Sequence, residues 1–204
     1  MLNTQAEPPE IPELTGVVPI AVIGEYLIRR IDDSVPFAVR RVVANVAYAA
    51  LSDMPNFKIG YDGSSTSDQL RMYVVTTGIS AVAMATVATS RRNWRLRWMT
   101  DKKACLLSVH ADQTPRPRIG QLWVASTYRR LRIAEHLLDQ ICSTEGVLRS
   151  ELGLQLPFSS HGLQFVRSFA TNDWYADGDL MELESVLADP VICAAARSEV
   201  DNSQ

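Results

Sequence analysis

The stretch from Ile119 to Ala134, IGQLWVASTYRRLRIA, constrains the fold more than any other part of the chain. Leu122, Trp123 and Val124 form a short apolar run of the kind that a buried strand carries. Ser126 and Thr127 are helix-cap residues, and Ile133, Ala134, Leu137, Leu138 and Ile141 then recur at helical spacing. The pattern predicts a strand that runs directly into a basic loop opening an amphipathic helix. Backbone N–H groups in the first turn of such a helix have no partner within it, and the helix dipole favours negative charge there. Arg129, Arg130 and Arg132 add fixed positive charge to the same turn. A polyphosphate suits that geometry; a strand, turn and helix with arginines on a solvated face is the plain alternative.

Around this centre the chain reads as alternating strands and helices. Residues 1–12 lack periodicity and are expected as a mobile arm, residues 13–190 as one domain, and residues 191–204 as a tail. GVVPIAVIGEYLIRRI is compatible with either a strand or a short helix. The following segment predicts a helix with Asp33 or Ser34 as N-cap, an apolar series Phe37, Val39, Val42, Val43, Val46, Ala47, Ala50 and Leu51, and Pro55 as its stop. Tyr61 to Asp68 is a turn-rich connection. LRMYVV and AVAMATVAT flank Thr77-Gly78, which predicts a hairpin. Arg91, Arg92, Arg95 and Arg97 interleave with Trp94 and Trp98; single-stranded nucleic acid is one use of such a pattern, but alternation through NWRLRW is also that of a half-exposed strand, the reading preferred here. The tail YADGDLMEL is read as a last strand, and Asp173, Asp177, Asp179, Glu182 and Glu184 in the C-terminal segment around it as either a solvated edge or an attraction for a cationic acceptor.

Composition narrows the class. With 204 residues, 47% hydrophobic and 21% charged, the chain is long enough for one substantial core. A net charge of −3 argues against nucleic acid as the main partner. Cys105, Cys142 and Cys193 are odd in number and form no C-x-x-C pair, so no disulfide framework, zinc site or other metal is expected, and a reducing compartment follows. No signal-peptide pattern opens the chain, and the longest apolar stretch, Ile79 to Ala88, is about half of what a membrane helix requires. The expectation is a soluble cytoplasmic protein without a membrane partner.

R-x-x-R-x-A at Arg129, Arg132 and Ala134 resembles the Q/R-x-x-G-x-G/A motif of the GNAT acetyltransferase superfamily, with Arg132 in place of the usual glycine. LWVAS followed by TYRRLRIA is most similar to the cohesin (establishment-of-cohesion) acetyltransferase branch, whose strand and basic loop read similarly. MYVVTTGISAVAMATVATSRRNWRLRW resembles that family's hairpin, and PFSSHGLQFVRSFA its F-S motif and following helix, so the resemblance spans roughly Met72 to Leu183. It departs at Ser160, which stands where the family has an aspartate. The proline turn after that residue and a zinc-finger segment are missing as well. Those departures bear on cohesin as substrate and leave acetyl-CoA untouched.

The resemblance implies a mixed α/β (α+β) GNAT-like fold, with a central, mostly antiparallel twisted sheet flanked by helices. It implies that Leu122, Trp123 and Val124 lie along pantetheine, and that the loop Arg129, Arg130, Leu131, Arg132, Ile133 and Ala134 receives the diphosphate of acetyl-CoA, the co-substrate. The acceptor would be a primary amine, on a small cationic molecule such as an antibiotic or on a protein lysine; homodimerisation is left open. An alkylamine with a pKa near 10.4 is about 99.9% protonated at neutral pH, so a base or water path is required. Ser126, matching a serine near that family's catalytic centre, and Ser159 and Ser160 in the F-S motif are the candidate hydroxyls. His161 beside them has a suitable intrinsic pKa, or is a helix-start histidine in solvent. His136 reads as solvent-facing. The absence of an evident base keeps a second reading in view, a catalytically degenerate acyl-CoA-binding or scaffold protein.

Overall fold

A computed structural model describes residues 7–52, 70–99, 103–108, 110–156, 158–170, 173–178, 183 and 186–192. The chain forms two compact units, one of residues 1–88 and 120–144, the other of residues 89–119 and 145–204.

In the first unit, β1 (Ala21–Ile23), β2 (Tyr26–Ile31), β3 (Arg71–Thr77) and the first part of β4 (Ser80–Ser90) pair antiparallel in succession. Both tight connections have a glycine at positive φ, Gly24 at 59° and Gly78 at 56°, because a two-residue turn between twisted strands needs a left-handed residue. Thr77 pairs with Ser80 across Gly78, as the hairpin reading requires. β4 is buried almost throughout, as a strand covered on both faces must be, which explains its unbroken apolar run Ala81–Ala85. The end of β7 (Arg116–Val124) lies beside it: Ala125 N–H donates to the Val82 carbonyl at 2.9 Å, and Gln121 N–H to the Thr86 hydroxyl at 2.9 Å.

Helix α1 (Phe37–Ser52) buries Val43, Val46, Ala47 and Ala50 in one cluster with Met72, Val74, Met84 and Trp123. It begins later than the sequence reading has it. Asp32 accepts from the N–H of Ser34 at 3.0 Å and from its hydroxyl at 2.6 Å, making a local turn, and Pro36 then supplies the first carbonyl, to Val39 and Arg40. Asp33 is therefore no cap but an ion-pair partner of Arg40 at 2.7 Å, and Phe37 is exposed. The expected stop at Pro55 and the turn-rich Tyr61–Asp68 lie outside the described residues. Ile11, read as part of a mobile arm, is 1% exposed; its N–H donates to Ile79 and Ala81 N–H donates to Pro9. The segment left open at residues 16–31 holds the strands β1 and β2 and follows a 3₁₀ turn (Pro12–Gly16). α2 (Ile133–Glu145) buries Ile133, Leu137, Leu138, Ile141 and Cys142 on one stripe and ends at Gly146, φ 70°.

In the second unit, β5 (Trp94–Trp98) pairs antiparallel with β6 (Ala104–Leu106) and β9 (Trp174–Asp177). β8 (Gly153–Gln155) runs parallel to β9 and to the start of β7, and β10 (Leu187–Ile192) parallel to β6. α3 (Ser160–Phe169) follows β8. Trp94 and Leu96 are buried while Arg95 and Arg97 are exposed, the alternation of a half-exposed strand. Both arginines bind Asp173, at 2.8 and 2.6 Å, and Asp177 accepts from Arg118 and from Ser90. The acidic tail is thus neutralised at its two described carboxylates rather than displayed; Asp179, Glu182 and Glu184 lie outside the described residues. Cys105 is disulfide-bonded, which the cysteine spacing gave no reason to expect, so the inference of a reducing compartment loses its basis.

Candidate functional site

β7 delivers its chain into the basic loop as expected, but the loop's conformation is not visible in any residue pattern. Trp123 is buried with α1, whereas Leu122 and Val124 on the opposite face of the strand are half-buried. Ala125 starts a 3₁₀ turn over Ser126–Tyr128, closed by Tyr128 N–H donating to the Ala125 carbonyl at 2.8 Å. The chain then leaves Arg129 extended, at φ −68° and ψ 154°, and enters the left-handed region twice, at Arg130 (φ 66°) and Arg132 (φ 59°). Outside glycine that conformation is costly, and a well-packed surrounding must hold it. Left-handed residues alternating with ordinary ones turn successive N–H groups into a concavity suited to an anion. Arg132 is the residue standing in the glycine position of the resembled motif, and its backbone keeps the glycine-type conformation.

The first helical bond of α2 is from His136 N–H to the Arg132 carbonyl at 3.0 Å, so the N–H groups of Ile133, Ala134 and Glu135 have no partner inside the helix. They add to the positive end of the helix dipole. The guanidinium groups, read from sequence as fixed positive charge on one turn, differ in their partners. Arg129 Nε donates to the Val124 carbonyl at 3.0 Å and so ties the loop back to the end of β7. Arg132 forms a two-pronged pair with Glu135, Nε–Oε2 2.8 Å and Nη2–Oε1 3.0 Å, and that hydrogen-bonded carboxylate raises its already high pKa. Arg130 is exposed, and among the described residues its side chain makes no hydrogen bond or ion pair. Leu131 between them is exposed as well. The i,i+3 spacing of Arg132 and Glu135 was the available sequence signal for their pairing.

The candidate hydroxyls fall in both units. Ser126, in the first, is half-buried, and among the described residues its hydroxyl makes no hydrogen bond. In the second, Ser159 is the N-cap of α3: its hydroxyl accepts from Gly162 N–H at 3.0 Å, leaving its own proton to be donated elsewhere. Ser160 and His161 are exposed in the first turn of that helix. Beside them Phe158 tilts against Trp174 at 6.0 Å, and Trp174 stacks on Trp98 at 4.9 Å. His136 is half-buried on α2. Among the described residues no group of three His, Cys, Asp or Glu could hold a metal, and no helix is long and apolar enough to cross a membrane.

The fold is that of the GNAT acetyltransferases. Among solved structures the chain is similar to the acetyltransferase domain of xEco2 bound to a K105-CoA conjugate, with a TM-score of 0.66 and 16% identity over 80% of this chain and 98% of that one. The xEco2 acetyltransferase domain in a second structure gives 0.60 and 18% identity over 86% and 99%. The aminoglycoside acetyltransferase meta-AAC0020 from an uncultured soil metagenomic sample, in complex with trehalose, gives 0.45 and 16% identity over 73% and 90%. No family model matches the chain, and no curated protein matches it.

Proposed function

We propose that the protein is an acetyl-CoA-dependent N-acetyltransferase, acting by direct transfer in a ternary complex on a primary amine of a small cationic molecule or a protein lysine. The observation carrying this reading is the doubly left-handed turn at Arg130 and Arg132 ahead of α2. A strained backbone whose N–H groups gather at a helix start has a use if it receives a diphosphate. Arg130 adds charge to it, and Leu122 to Val124 are proposed to lie along pantetheine.

In the reaction the neutral amine attacks the thioester carbonyl, a C–N bond forms, the C–S bond breaks, and the thiolate leaves as the amine's surplus proton is lost to a base or water. Ser126, with an uncommitted half-buried hydroxyl, is proposed to donate to the leaving thiolate or to a relay water. Ser160 and His161 are proposed on the acceptor side, with Ser159 contributing through the helix it caps. The test is release of free thiol from acetyl-CoA across a panel of polyamines, amino sugars and lysine peptides. Ser126→Ala or Ser160→Ala should slow turnover while sparing cofactor affinity, and an Arg129→Glu, Arg130→Glu pair should abolish that affinity. Undiminished binding by the pair would refute the placement of the cofactor.

One observation favours the second reading, an acyl-CoA-binding protein without turnover: His161 is exposed and Ser159 is committed to its cap, so no base is held in place within α3. Tight CoA binding with no thiol release over the whole panel would select it.

A further inference from the structure

The pairing of Arg132 with Glu135 places a carboxylate in the first turn of α2, where the cofactor reading puts phosphate. Glu135 meets the needs of that position in miniature. It is an anion beside a helix start, held by both prongs of a guanidinium at 2.8 and 3.0 Å. Arg132, left-handed at the position that opens the helix, folds its own side chain onto the third residue of the same helix. A guanidinium so engaged keeps its Nη1 donors, but its side-on fork of Nε and Nη2 opens to a phosphate only when Glu135 gives it up.

We infer that Glu135 is a built-in competitor for the phosphates of coenzyme A: it occupies the Nε–Nη2 fork of Arg132 until a phosphate displaces it, and thereby sets the affinity and release rate of the cofactor. The inference rests on the acetyl-CoA reading and adds a residue to it. Glu135 touches neither the thioester nor the amine and acts through Arg132, so it is a positioning residue. Either the diphosphate or the 3′-phosphate could be the displacing group, since both offer the same bidentate oxygen geometry.

Calorimetry with CoA and with 3′-dephospho-CoA on the wild type, Glu135→Gln, Arg132→Gln and the double variant tests this. Glutamine at position 132 keeps a Cβ and so leaves the demand on the backbone unchanged. Glu135→Gln should tighten CoA about three- to tenfold, with slower release. Arg132→Gln should cost little in the wild type but about five- to tenfold in the Glu135→Gln background, because only there is the Nε–Nη2 fork released from a carboxylate. A gain with CoA that persists with 3′-dephospho-CoA assigns the diphosphate as the displacing group, and one lost with it the 3′-phosphate. Unchanged or weaker binding by Glu135→Gln would overturn the inference, as would equal costs of Arg132→Gln in both backgrounds, the signature of a simple field effect. Failure of the wild type itself to bind CoA would instead overturn the cofactor reading beneath it.

Discussion

Replacing Arg130 by glycine and, separately, by alanine should pull stability and cofactor binding apart. At φ 66° a side chain with a Cβ costs roughly 1–2 kcal/mol relative to the right-handed region. Glycine removes that cost but loses roughly 0.5–1 kcal/mol through the greater freedom of its unfolded chain. Alanine keeps the Cβ and so keeps the strain, while both variants remove the same charge. The difference between the two should therefore be about 1 kcal/mol in favour of glycine. For a chain of 204 residues that corresponds to a separation in Tm of about 2–4 °C. Thermal unfolding followed by circular dichroism reads the first quantity and calorimetry with acetyl-CoA the second. Both variants should lose affinity to a similar degree, about three- to tenfold, because both lack the guanidinium. Coincident melting curves would show that position 130 carries no left-handed strain. Full affinity in both would show that its charge is not used.

Three further outcomes follow from the structure. The hydrogen bond of the Thr114 side chain, then those of Thr114 N–H at 2.8 Å and of Arg116 at 2.9 Å, all donated to the Asp112 carboxylate, bring its pKa down to about 2. A depressed carboxylate stabilises above its unfolded pKa, so Asp112→Asn should cost at most about 1 kcal/mol at neutral pH after solvent screening. That penalty should fade as pH falls from about 4 to 2; a penalty independent of pH, by urea titration, would refute the assignment. Trp174 is 1% exposed and its indole N–H has no partner among the described residues, so Trp174→Phe should cost less than about 1 kcal/mol, relief of the unsatisfied donor offsetting lost packing. A loss of 3 kcal/mol or more in the same titration would mean that the N–H is satisfied in solution. Gly78→Ala, at φ 56° in the β3–β4 turn, should lower stability by about 1 kcal/mol although nothing lies within 4 Å of the added methyl, and an unchanged Tm would contradict the turn geometry.

What could be read from the sequence was what periodicity and glycine placement encode. β7 running into α2, the Gly78 hairpin and the alternation of β5 all depend on neighbours in the chain, and each is found where the residues place it. The start of α1 was misplaced because Asp32 and Ser34 are equally good at capping a helix and at closing a turn, and the choice fell to Pro36. Apart from the i,i+3 pair of Arg132 and Glu135, the fates of the charges were not legible. Asp173 finds Arg95 and Arg97 across a strand pair, far apart in sequence, and Arg129 spends its Nε on a carbonyl. Likewise Pro9–Ile11 looks like an arm because its anchoring is backbone pairing with the distant Ile79–Ala81 segment, which composition does not record. At the candidate site the residues were named correctly as a loop, but its defining property, two arginines in a conformation proper to glycine, belongs to the backbone.

Backbone amide resonances of the isotopically labelled protein, followed during titration with CoA, test the central claim most directly. Binding at the end of β7 predicts the largest shifts at residues 130–135, with the amides of Arg132, Ile133 and Ala134 moving downfield as they take up phosphate oxygens. Saturable binding that leaves those amides unmoved, with the large shifts elsewhere in the chain, would contradict it.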